Sequence, residues 1–161
     1  RSSWVTGVQT CALPISDSSF EIGKAYVLRE GGDVTILSTG IETPYALRAA
    51  DLLARDGVQA EVVHVPTVKP LDTTTIVDSV KKTGRAVTCE DAQAAGGFGG
   101  AVAELLCDEI PVPLLRIGVQ DRYGESGEPL EVHRKLGLAD DAIAARVKEF
   151  VASRPQYHAG F

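Results

Sequence analysis

The run GGFGG, Gly96 to Gly100, stands between a stretch with strand character and one with helix character, a placement that could do chemistry. Backbone N–H groups and the dipole at a helix start attract anions. As a nucleotide cradle the loop is defective. With Gly97 and Gly99 aligned on the GxGxxG pattern, Val102 falls where the third glycine or alanine belongs. No Lys followed by Ser or Thr is present to make a phosphate loop. Two readings stay open: Gly96, Gly97 and Gly99 permit close backbone packing, which is favoured, or they meet an anionic ligand.

Just upstream, Glu90 and Asp91 leave the C-terminal end of an expected parallel strand, where open α/β sheets usually contact ligands. Adjacent carboxylates can act as acid and base or hold a cation. Neighbours in an extended segment point to opposite faces, however, which favours a loop-organising or interface role over one shared site. The segment DRYGESGEP, Asp121 to Pro129, adds Asp121, Glu125 and Ser126 as candidates of the same kind. Ser126 does not sit in a nucleophile elbow, because GxSxG needs a glycine where Glu128 stands and a strand-to-helix turn that this segment lacks. A helix-start loop with Ser126 or Glu128 near the cap is the better expectation.

His64, His133 and His158 fall in different elements and show no zinc spacing. His64, within AEVVHV, reads as a packed or hydrogen-bonded histidine rather than a catalyst. Cys11, Cys89 and Cys107 are odd in number and too widely spaced for a metal knuckle or a CxxC pair. Cys89 and Cys107 are expected to be reduced core residues of a cytoplasmic protein.

These groups must be positioned by regular elements. AYVLREGGDVTILS, Ala25 to Ser38, reads as two β-rich runs around Gly31 and Gly32 and predicts an antiparallel hairpin. A helix follows, with Thr43 as its N-cap, Pro44 in the first turn and Gly57 as its stop. Ala60 to Val65 is the next strand. Asp72 caps a helix from Thr73 to Thr83 that Gly84 ends, and Ala86 to Cys89 returns as a strand. The glycine loop then leads through a helix, Ala101 to Glu109, into the strand Leu114 to Val119. Two helices close the domain, Pro129 to Leu136 with Gly137 as its stop and Asp141 to Val151 after Asp140 as cap. Alternation at this spacing predicts a three-layer α/β sandwich around a mostly parallel five-stranded sheet with one antiparallel strand.

The chain of 161 residues, 44% hydrophobic and 24% charged, suits one globular domain. Its sixteen Lys and Arg residues are scattered and the net charge is −6, which argues against nucleic acid as a partner. No stretch approaches the roughly 18 consecutive apolar residues of a membrane span. The opening RSSWVTGVQTCALPIS does not read as a targeting peptide. Val5 to Ile15 looks instead like a translated sequencing-adapter oligonucleotide, so residues 1–16, with Trp4 and Cys11, are expected to be non-native. Residues 17–152 are then the domain, and 153–161 a frayed tail.

FEIGKAYVLREGGDVTILSTG, VPTVKPLD, TCEDAQAAGGFGGAVAELL and RIGVQDRYGESGEP together resemble the C-terminal domain of transketolase-like proteins, notably the C-terminal subunit of split transketolases. The resemblance runs from Phe20 to Val151. It implies an enzyme that uses thiamine diphosphate and Mg²⁺ to move two-carbon ketol units between sugar phosphates. In that family the diphosphate and metal are held by the N-terminal domain, and the activating glutamate belongs to the middle domain. No catalytic, cofactor-binding or metal residue is therefore expected here. The implied partners are the thiamine-binding N-terminal and middle domains or subunit, in a homodimer of the full enzyme. Related domains occur in 1-deoxyxylulose-5-phosphate synthase and the beta subunit of 2-oxoacid dehydrogenases, and an autonomous interaction or anion-binding module is the non-enzymatic alternative. One departure stands out: split transketolases commonly read EEH before the glycine loop, whereas this chain has Glu90, Asp91, Ala92. Any role of that histidine is not carried over.

Overall fold

A computed structural model describes residues 21–121 and 127–157. In chain order the elements are β1 (Tyr26–Arg29), β2 (Val34–Ser38), α1 (Glu42–Arg55), β3 (Ala60–His64), α2 (Thr73–Thr83) and β4 (Ala86–Gln93). They continue with α3 (Phe98–Glu109), β5 (Leu114–Val119), α4 (Pro129–Lys135) and α5 (Asp140–Ser153). The strands form one sheet ordered β1-β3-β2-β4-β5, with β1 antiparallel and the rest parallel. This is the expected α/β architecture.

Strand parity builds the layers. Val34, Ile36, Ala60, Val62, Val87, Cys89 and Ile117 point to one face, where α1 and α5 cover them. Leu37, Val63 and Ala86 point to the other, under α2 and α3. The helices carry matching stripes: Ala46, Ala49, Ala50 and Leu53 on α1, and Ile76, Val77 and Val80 on α2, are buried at the helical repeat. Each fully buried Val, Leu or Ile contributes roughly 1.5–3 kcal/mol through lost apolar surface.

The opening hairpin is not formed. β1 pairs with β3 rather than with β2, which lies between β3 and β4. The reason is burial. Every residue of β2 is buried, so it needs neighbours on both sides, whereas β1 is partly exposed and suits an edge. The Gly31–Gly32 turn carries the chain across the start of β3, with Gly32 and Asp33 N–H groups both donating to the Gln59 carbonyl. A side chain at Gly31 would fall 2.3 Å from the Ala60 carbonyl carbon, which is why glycine is required there.

Helix starts depart from expectation in three places, and each has a side-chain cause. α1 begins at Glu42 with Ile41 as cap, because the Thr43 hydroxyl is engaged elsewhere. α3 begins at Phe98 rather than Ala101, since a carboxylate described below satisfies its first N–H groups. α5 begins at Asp140 after Ala139, with one Asp140 oxygen bound to Arg48. Asp72 caps α2 as expected, accepting from Thr75 N–H at 3.1 Å, and Gly84 closes it at φ 68°. Burial pushes the Asp72 carboxyl upward, but hydrogen bonds from Ala25 and Thr75 and the Lys24 charge outweigh that and leave it below the usual carboxylate range. Among the described residues no helix is long and apolar enough to cross a membrane.

Candidate functional site

The C-terminal end of the sheet is where chemistry was expected, and parity divides it. Thr88 and Glu90 share the face of β4 that α3 covers; Cys89 and Asp91 share the face covered by α1. Glu90 is 1% exposed. Its two oxygens accept from the backbone N–H groups of Phe98, at 2.7 Å, and Gly99, at 2.8 Å. The anion at the start of α3 is thus the chain's own carboxylate, in the position where a helix terminus best stabilises negative charge.

The glycines make room for it. A Cβ at Gly97 would sit 2.2 Å from Glu90 Oε2 and 2.5 Å from the Gln93 carbonyl oxygen, and one at Gly99 would sit 2.7 Å from Thr88 Oγ1. Gly118 on β5 serves the same end from the other side, since a Cβ there would lie 3.0 Å from Glu90 Cγ. Outside this plug, Gly96, Gly97, Phe98, Gly100, Val68, Ala101 and Glu104 line a shallow groove of about 400 Å³.

On the opposite face a second polar cluster forms. Ser38 Oγ donates to Thr43 Oγ1 at 3.1 Å, and Thr43 Oγ1 lies 2.7 Å from His64 Nδ1. Burial pushes the His64 pKa down, against a hydrogen bond that the ring donates to the Ser38 backbone carbonyl. A neutral imidazole results. Beside it, Glu42 is fully buried in the first turn of α1, and its Oε1 lies 2.5 Å from His133 Nε2 on α4. The His133 ring stacks on Tyr45 with centroids 4.4 Å apart, and the Arg48 guanidinium lies over the Tyr45 ring, 4.5 Å from its centroid. Loss of hydration, helped by the Asp91 charge, raises the Glu42 carboxyl to about 8.

The model of the transketolase C-terminal domain matches residues 23–143. The chain belongs to that family. It is 48% identical over 133 residues to the 6-deoxy-6-sulfo-D-fructose transketolase subunit SqwH of a Clostridium strain, covering 83% of this chain and 41% of the relative. Against a 1-deoxy-D-xylulose-5-phosphate synthase of Thermomicrobium roseum the identity is 41%, over 86% of this chain and 22% of that one. A solved split-gene transketolase, described as an inactive beta4 tetramer, superposes with a TM-score of 0.80 at 41% identity, covering 84% of this chain and 45% of that one. Transketolase of Pichia stipitis, at 20% identity, 81% and 18% coverage and a TM-score of 0.63, shares the fold. The chain thus spans less than half the length of these relatives.

Within this transketolase C-terminal domain the sequence candidates disperse. Glu90, Gly97 and Gly99 meet at the α3 start, while Asp91 is exposed and Gly96 takes a positive φ of 78° in the loop. Asp121, exposed past β5, donates its N–H to Gln93 Oε1 at 3.0 Å. Glu125, Ser126, His158 and residues 1–16 lie outside the described residues. Cys107 is exposed rather than a core residue, because it is one step off the Phe98, Val102, Leu106 stripe of α3; Cys89 is buried. Sequence reasoning missed Gly118 and the Glu42–His133 pair. The lone glycine inside the strand LLRIGV was a usable signal of close approach. The pair offered none, since its members are distant in the chain.

Proposed function

We propose that the chain is the C-terminal part of a transketolase-type enzyme, which moves two-carbon ketol units between sugar phosphates with thiamine diphosphate and Mg²⁺. Its role there is to pack against the thiamine-binding domains and help the homodimer form, and alone it is inactive. The observation that carries this reading is the Glu90 carboxylate seated on the Phe98 and Gly99 N–H groups. A diphosphate arriving there would meet a negative charge instead of free donors. Among the described residues no three His, Cys, Asp or Glu side chains gather where they could hold a metal. The residues present therefore do not fit the cofactor, whose stabilisation of a carbanion is assigned to the other domains.

On this reading Glu90, Gly97 and Gly99 organise the loop, while Asp91, Gly96 and Asp121 face the neighbouring domains, in the cytoplasm. The 41% identity to a 1-deoxy-D-xylulose-5-phosphate synthase supports a second reading, in which the chain closes an enzyme of that type.

The reading frame upstream of Asp17 should encode a thiamine-binding middle domain. Expressed with that segment and the N-terminal part, the chain should give ketol transfer that neither fraction gives alone. Turnover by the lone chain would overturn the proposal, and 1-deoxyxylulose 5-phosphate as product would favour the second reading.

A further inference from the structure

We infer that Glu42 and His133 form a proton-dependent latch that fastens α4 to the C-terminal end of the sheet. The closeness of the two groups requires a proton on one of them. Carboxylate oxygen and imidazole nitrogen lie 2.5 Å apart, and without a proton two lone pairs would face each other at that distance. Both atoms are shielded from water, and among the described residues neither makes an aligned hydrogen bond, with the other or with any third group, so a charge on Glu42 is left without compensation.

α4 is a short helix, Pro129–Lys135, so its position depends on what holds it. Inward it offers the stack of His133 on Tyr45 and the Glu42 contact. Leu130 on its outer side is 64% exposed, and Ile41, next to Glu42, is 47% exposed. Loss of that proton leaves a buried, unpaired carboxylate against a neutral ring, an arrangement that is strongly unfavourable unless water reaches it. The nearest route for water is outward movement of α4.

The surroundings favour loss rather than neutralisation of the charge. Asp91 of β4 adds negative potential, Cys89 of the same strand is a buried thiol, and His64 of β3 is bound to Thr43. Of the cations, Arg48 is bound to Asp140 and lies over the Tyr45 ring, Arg146 of α5 reaches the Arg116 carbonyl, and Arg134 and Lys135 flank His133 in the last turn of α4, none of them in an ion pair with Glu42. The N-terminal dipole of α1 favours a carboxylate at Glu42, but too weakly to offset full burial.

The direction with pH follows. Glu42 is raised, so its stabilisation is complete below its unfolded value and is lost as pH rises through about 8. His133 is lowered by burial, and its contribution is lost as pH falls below the ordinary imidazole range. Above that range only the Glu42 slope remains, and α4 loosens by up to tenfold per pH unit, the limit for one linked proton.

Amide exchange of the full chain, corrected to protection factors, reads this directly. Between pH 6.5 and 9 protection of α4 should fall at least tenfold while β2, β3 and β4 hold, and Glu42→Gln, whose amide can donate to His133 without titrating, should keep α4 protected. An unchanged α4 in the wild type, or the same fall in the variant, overturns the latch. If the variant does not fold, ¹⁵N shifts of His133 in the wild type decide: a proton lost together with α4 protection supports it, and an ordinary imidazole titration with α4 unaffected overturns it. Neither readout depends on which reaction the assembly performs.

Discussion

Glu90→Ala should lower the stability of the chain by about 3–4 kcal/mol, because two buried N–H groups lose a charged acceptor and a cavity opens beside them. These bonds, 2.7 and 2.8 Å long, satisfy the first N–H groups of α3, where Gly97 caps with no side-chain bond of its own. Glu90→Gln should cost about 2 kcal/mol, since the amide keeps one oxygen for one N–H but turns a donor toward the other. Urea unfolding followed by circular dichroism measures both. Equal losses in the two variants would mean that packing, not the carboxylate, holds the helix start.

Gly97→Ala should cost about 3 kcal/mol, at the upper end for overpacking. The added carbon would lie 2.2 Å from Glu90 Oε2 and 2.5 Å from the Gln93 carbonyl, and the second obstacle is backbone that cannot swing aside. For a domain of this size that is a drop of roughly 10 °C in Tm. Gly100→Ala is the control. It meets nothing within 4 Å and lies inside α3, so it should be neutral or stabilising by up to about 1 kcal/mol. A calorimetric Tm that moves alike for both would contradict the close-packing account of the loop.

The separation of Glu90 from Asp91 was legible from strand parity alone, and so were the α2 cap at Asp72 and the parallel βαβ order. Which neighbour β1 chooses was not. Sequence proximity favoured a hairpin with β2, but a strand buried on every residue demands two partners, and that demand appears only once the whole sheet is assembled. Local rules also placed Thr43 at a helix cap, because they score a hydroxyl before a helix without knowing that His64 will stand 2.7 Å away. The glycine loop was read as either packing room or anion site. It is both, since the anion it receives is Glu90, and the ligand that loop chemistry suggested lies in the chain itself.

The central claim is that this domain scaffolds a thiamine enzyme without holding the cofactor, and titration of the chain with thiamine diphosphate and Mg²⁺ in a calorimeter tests it most directly. No saturable heat is expected up to millimolar cofactor. Micromolar binding would contradict the account.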